Sequence, residues 1–245
     1  MNSKKPYNYV KGLSKSDNLG SVLSVDFNPK KICSFDCIYC GVGRTTDKTL
    51  LRQEFYPVEE VYGEIRDWID ENSQPEFALL TGSGEPMLYL GLGRLARLIK
   101  SNIPGLKLIV YSNGSLLKRS EVRQEISVID QVIINLNSAD EDILLKICRP
   151  HRDFRFDELI DSIKQFRKEF RGILWIDVVL IKGINTSAYV LEKLLNTIED
   201  ISPDRCTIGQ PKSKSKDGTN REKVEISEEL RKKWSNLPFR IDYNI

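Results

Sequence analysis

Cys33, Cys37 and Cys40 fall within eight positions, and their Cys-x3-Cys-x2-Cys spacing brings three thiols onto one short segment. Thiolates are ligands for iron–sulfur clusters, and a cubane cluster usually takes four of them. Three would leave one iron open to another molecule, so the pattern predicts a [4Fe–4S] centre that does chemistry as well as electron transfer. The same spacing would put three buried free thiols on one helix face. The surrounding residues oppose a helix: Pro29 precedes the run, Gly41 and Gly43 close it, and polar Ser34 and Asp36 lie inside it, which reads as a loop between strand and helix. A structural zinc would need a fourth ligand, and only the distant Cys148, Cys206 or His151, the single histidine, could supply it.

Further polar residues collect after apolar stretches. These are Thr81-Gly-Ser-Gly-Glu-Pro86, Ser112-Asn-Gly114, Asn135-Leu-Asn137-Ser138, Lys182-Gly-Ile-Asn185 and Gln210-Pro-Lys. Each is also ordinary turn chemistry. Glu85 stands out, because a lone acid between Gly84 and Pro86 serves no obvious helix cap. Together the segments predict a lined cavity.

The elements that would hold these residues alternate along the chain. Ser21–Asn28 alternates apolar and polar residues as a half-buried strand does. Pro57–Asn72 places Val58, Val61, Ile65, Trp68 and Ile69 at helical spacing behind an N-terminal proline. Strands follow at 77–81, 106–111, 128–135, 173–181 and 205–209. Helices lie between them around 90–101, 115–125, 140–147, 156–170 and 187–199. Six strands alternating with helices predict parallel βαβ units. In such sheets reactive groups come from the loops after the carboxyl ends of the strands, where the polar segments lie.

The 245 residues fit one α/β domain, with a core over about 15–210 and a C-terminal extension over 211–245. Lys212–Lys223 has no periodicity and reads as a mobile surface loop. Hydrophobic residues at 40% and charged residues at 29% exclude a disordered or collagen-like chain. A net charge of +2 gives no overall field for nucleic acid or an anionic membrane. The longest apolar runs are far short of the ~20 residues of a membrane span, and no secretory apolar segment follows Met1, so a cytoplasmic protein is expected.

The pattern Cys33, Cys37, Tyr39 and Cys40 resembles the Cys-x3-Cys-x-aromatic-Cys signature of the radical S-adenosylmethionine (SAM) superfamily. Cys33–Thr46, Gly84–Tyr89, Ser112–Ser115 and Cys148–His151 are similar to the branch containing the tRNA wyosine-base synthase and its relatives. The resemblance implies a partial (β/α)6 barrel, with SAM on the open iron of a [4Fe–4S] cluster held by Cys33, Cys37 and Cys40. It implies reductive cleavage to a 5′-deoxyadenosyl radical, fed by an external electron donor of flavodoxin or ferredoxin type. By motif position, Gly84 and Glu85 would hold the methionine amino group, and Tyr39 would lie near adenine. Asn113 would face the ribose, Asn135 and Asn137 the ribose or carboxylate, and Gly183–Asn185 would receive adenine. The synthase pattern carries a further cysteine set upstream of its SAM cluster, whereas residues 1–32 contain no cysteine.

Three functions follow as expectations. One is modification of RNA, with Lys30, Lys31, Arg44, Lys48, Arg52 and the Lys212–Lys223 loop neutralising phosphates. Another is radical modification of a peptide, a protein glycyl residue or a small metabolite. The third is a non-enzymatic iron–sulfur electron carrier.

Overall fold

The computed structural model describes residues 6–16, 19–211, 228, 232, 234 and 237–244. The six expected strands appear as β2 (Gly20–Asp26), β5 (Phe77–Thr81), β6 (Lys107–Ser112), β7 (Gln131–Asn135), β8 (Ile173–Val179) and β9 (Arg205–Gly209). Two more join the same sheet, β1 (Val10–Ser16) and β10 (Arg240–Asn244), giving the order β1-β2-β5-β6-β7-β8-β9-β10. Only β1 runs antiparallel to its neighbour; the other pairs are parallel. No described strand joins β10 back to β1, so the sheet is an open, partial barrel. It reaches beyond the 15–210 core expected from sequence at both ends.

The helices are α1 (Val58–Glu71), α2 (Leu92–Asn102), α3 (Ser120–Glu125), α4 (Glu141–Cys148), α5 (Phe156–Glu169) and α6 (Ala188–Ile201). Their apolar stripes pack on one face of the sheet, against residues such as Leu23, Leu80, Val110, Val132 and Ile176. The opposite face encloses a separate cluster of Val22, Phe77, Ile109, Ile133 and Trp175. Strand periodicity then puts Asn135 and Asp177, opposite each other in register, on that inner face near the strand ends. That face also carries polar groups at its base, with Gln131 two residues before Ile133, Arg205 stacked over Trp175 and Thr207 accepting from Trp175 Nε1. No helix among the described residues is long and apolar enough to cross a membrane.

Two sequence expectations change, and a third is not tested. The helix expected over 115–125 is α3 from Ser120 only, preceded by turns. The cysteine segment includes a two-residue strand, β3 (Ile32–Cys33), paired in parallel with β4 (Asp47–Lys48), so the loop is pinned at both ends. The Lys212–Lys223 segment lies outside the described residues.

Candidate functional site

β3 delivers Cys33 to the mouth of the barrel, and the chain from Ser34 to Gly43 runs without regular structure. A loop needs partners for its backbone, and here they come from the end of α4. Asp36 N donates to the Cys148 carbonyl at 2.9 Å, Ile38 N to Ile147 at 2.9 Å, and His151 N to the Ser34 carbonyl at 2.8 Å. Arg149 caps α4 in the left-handed region at φ 43°, turning the chain so that these groups meet the loop.

Glu85 approaches from the other side. Its backbone N–H donates to the Ile32 carbonyl at 3.0 Å, immediately before Cys33. Gly84 makes that approach possible, since a Cβ there would stand 1.7 Å from the same oxygen. The Glu85 side chain is buried and accepts three hydrogen bonds: from Met87 N at 3.0 Å and Ser112 Oγ at 2.6 Å on Oε1, and from Asn113 N at 2.9 Å on Oε2. It therefore caps the 3-10 turn Pro86–Leu88, which corrects the expectation that Glu85 serves no helix cap. Among the described residues no cation forms an ion pair with it. Burial pushes its carboxyl above the usual range, more than the three hydrogen bonds lower it.

Cys33 Sγ receives the Asn113 amide Nδ2 at 3.7 Å and Phe35 N at 3.4 Å. Burial, followed by the nearby Glu85 carboxyl, pushes the Cys33 thiol up. Contact with the Cys148 thiol, followed by burial, pushes Cys37 up as well. All three thiols of the loop are free. Among the described residues no group of three His, Cys, Asp or Glu side chains forms a ready-made cage for a metal ion. The donor chemistry nevertheless suits an iron–sulfur cluster: three free thiols share one pinned loop, amide N–H groups aim at Cys33 sulfur, and a neighbouring buried carboxylate lacks a cation.

A second group of expected residues meets deeper in the mouth. Tyr39 OH donates to Asn135 Oδ1 at 2.6 Å and accepts from Asn137 Nδ2 at 2.8 Å, and Asn137 Nδ2 also reaches Asn135 Oδ1 at 2.7 Å. Asn135 Nδ2 extends the network to Tyr111 OH at 3.2 Å, whose hydroxyl donates to Asp177 Oδ2 at 2.6 Å. Tyr111 and Asp177 are missed by the sequence reading, although each is a polar interruption on the inward face of an apolar strand. Burial, then Asp177, pushes the Tyr111 hydroxyl well above its usual range.

Asn185 stands apart. Its Oδ1 accepts from Ile181 N at 2.6 Å, and its Nδ2 donates to the Asn137 and Val179 carbonyls, both at 2.9 Å, so its amide staples the turn after β8. Gly183 adopts φ +77° at an exposed position in that turn, where its task is the turn itself. Two of the expected phosphate cations are also committed elsewhere. Lys31 is buried and its ammonium meets the Gly43 carbonyl. Arg52 forks onto Glu125 at 3.0 and 2.6 Å and donates to the Met87 and Tyr89 carbonyls at 3.0 Å each.

Arg52 thus anchors the turn that carries Glu85, with 5% of its side chain exposed against 26% for Glu125. Arg52→Ala is expected to lower unfolding stability by about 2–3 kcal/mol, short of a fully buried pair because Glu125 keeps some water. Urea denaturation measures it, and a change within about 0.5 kcal/mol, as at an ordinary surface site, would show that the anchor is dispensable.

A sequence model described as the Radical SAM superfamily matches residues 27–194, more than half of the chain. The UPF0026 protein MJ1312 of Methanocaldococcus jannaschii is 30% identical over 199 residues, covering 80% of this chain and 61% of that protein. A protein named GTPase Obg from Brachyspira hyodysenteriae is 33% identical over 190 residues, covering 78% of this chain and 28% of that protein. The chain therefore spans less than two thirds of either relative. Among solved structures, Streptococcus suis SuiB bound to S-adenosylmethionine superposes with a TM-score of 0.66 at 15% identity, over 91% of this chain and 52% of that one. That likeness is one of fold.

Proposed function

The chain belongs to the radical SAM superfamily, and we propose that it cleaves SAM reductively at a [4Fe–4S] cluster on Cys33, Cys37 and Cys40. The cluster, when bound, supplies the electron that turns SAM into methionine and a 5′-deoxyadenosyl radical. The protein's own residues bind, orient and exclude.

The observation that carries this reading is Glu85, a buried carboxylate without a cation partner among the described residues, backed against the segment that bears Cys33. A buried charge is costly unless it is paired. Oε1 already takes two hydrogen bonds, while Oε2 takes one and keeps a lone pair free. The cationic amino group of SAM would supply the missing partner and draw the Glu85 carboxyl back toward its ionised form. Asn113, fixed by Ser34 and Ser115, would present its amide toward the same space. Tyr39, Asn135 and Asn137 already satisfy one another, so they would act by shaping the wall that meets the nucleoside. Asn185 and Gly183 would hold the loop beyond it.

For the substrate, a peptide, a protein glycyl residue or a small metabolite gains over RNA. Lys31 and Arg52 point inward and leave the phosphate-neutralising set. The test of the activity is anaerobic reconstitution followed by dithionite and SAM. The expected result is about four irons per chain and formation of 5′-deoxyadenosine. A loaded cluster that yields no 5′-deoxyadenosine would leave the electron-carrier reading.

A further inference from the structure

The three cysteines proposed to hold the cluster leave Cys148 and Cys206 over, and these two differ in where their thiols stand. Cys206 is buried on β9 within the main core. Cys148, the last residue of α4, is buried too, but its thiol touches that of Cys37.

The backbone builds this contact. Arg149, in the left-handed region, turns the chain out of α4 so that residues 147–151 run antiparallel beside residues 34–38. His151 N meets the Ser34 carbonyl, Phe35 bridges Pro150, Asp36 N meets the Cys148 carbonyl and Ile38 N meets that of Ile147. Cys37 is therefore held opposite the Ile147–Cys148 step. Residues facing each other across an antiparallel pair have Cα atoms about 4.5–5.5 Å apart, inside the roughly 4.4–6.8 Å that a disulfide spans. Cys33 is placed differently, its sulfur engaged by Phe35 N and the Asn113 amide. Cys37 is partly exposed, whereas Cys148 is 3% exposed, so an oxidant from solvent meets the first and not the second. An accessible thiol backed by a buried one is the arrangement of an oxidisable cysteine with its resolving partner.

We propose that Cys37 and Cys148 form a disulfide when the cluster is absent, and that this bond sets Cys37 aside in a reversible form. The proposal rests on the assignment of Cys37 to the cluster, whose iron needs the thiolate that the disulfide consumes. With a peroxide as the oxidant the step balances. The Cys37 sulfur takes one peroxide oxygen and becomes a sulfenic acid, while the other oxygen leaves as water. The Cys148 sulfur then attacks the sulfenic sulfur, the S–O bond breaks and a second water leaves. Two thiols have passed two electrons and two protons to one peroxide. A dithiol reductant undoes the bond by exchange, ending as its own disulfide and returning both thiols. Without Cys148 the sulfenic acid climbs to the sulfinic acid, which a dithiol does not reduce.

The experiment uses the full chain before cluster loading and its Cys148→Ala variant, each treated with a slight excess of hydrogen peroxide. Remaining thiols are alkylated, linked peptides are mapped by mass spectrometry, and iron uptake is measured with and without dithiothreitol. The wild type is expected to carry a Cys37–Cys148 link as its main product and to lose iron uptake at least about fivefold, with dithiothreitol restoring it. Treated Cys148→Ala should lose uptake as strongly, and dithiothreitol should restore less than about half of it. The untreated variant, loading iron as the wild type does, is the control for folding. Links confined to Cys33, Cys37 and Cys40 in the wild type, or full recovery of the treated variant by dithiothreitol, would overturn the proposal. A wild-type chain that takes up no iron even untreated, yet forms the Cys37–Cys148 link, would fail the cluster assignment and leave the thiol pair standing.

Discussion

Replacing Cys33, Cys37 or Cys40 with alanine is expected to give a folded chain that takes up almost no iron and forms no 5′-deoxyadenosine. A cubane left with two protein thiolates loses half its usual ligands, so iron should drop from about four per chain to near zero. The fold should survive, because the thiol loop is held by β3 pairing with β4 and by the carbonyls at the end of α4, none of which involves a thiol. Circular dichroism with iron and sulfide assays reads both effects in one sample. Cys148→Ala and Cys206→Ala should keep their iron. Cys206 is buried on β9 within the main core, and Cys148, although its thiol touches that of Cys37, serves the loop through its backbone carbonyl. A full cluster in any variant of the triad, or its loss with Cys148 or Cys206, would show that the ligand set is misassigned.

The second large effect is expected at Glu85. Removing the carboxylate that would meet the amino group of SAM costs about 1.5–3 kcal/mol, a loss of affinity of roughly ten- to a hundredfold. The complication is its second task, since Glu85 caps the Pro86–Leu88 turn and accepts from Ser112 and Asn113. Glu85→Ala therefore loses hydrogen bonds, and it also removes a buried charge that lacks a cation, two effects of opposite sign on stability. Affinity, measured by calorimetric titration of SAM into cluster-loaded protein at matched iron content, separates the roles. A variant with lowered melting temperature and wild-type SAM affinity would make Glu85 a cap and nothing more.

What the sequence disclosed and what it hid divide by range. The thiol spacing, the strand–helix alternation and the polar strand ends are local patterns, and the structure places Cys33, Glu85 and Asn113 together as the motifs suggest. β1 was hidden by its composition: VKGLSKS is polar, carries Gly12 at φ +117° and bulges beside it, as an edge strand can. β10 was hidden by the aperiodic stretch before it. Arg52 misled because an arginine in a basic neighbourhood looks solvated, and its partner Glu125 lies 73 positions away. Glu85 looked like no cap in the sequence because the turn it starts is only three residues long. Tyr111 and Asp177 could have been found by asking which strand residues face inward.

The way the end of α4 clasps the thiol loop bears on how such a protein is supplied and repaired. In small zinc modules the metal is the organiser, and its removal dissolves the fold. Here the Asp36 and Ile38 backbones and the Ser34 carbonyl have protein partners, so a cluster on the loop would not be its only organiser. Cluster delivery would then be a separable step in maturation. An encounter with oxygen that strips the iron would leave an empty receptacle that a delivery system can refill.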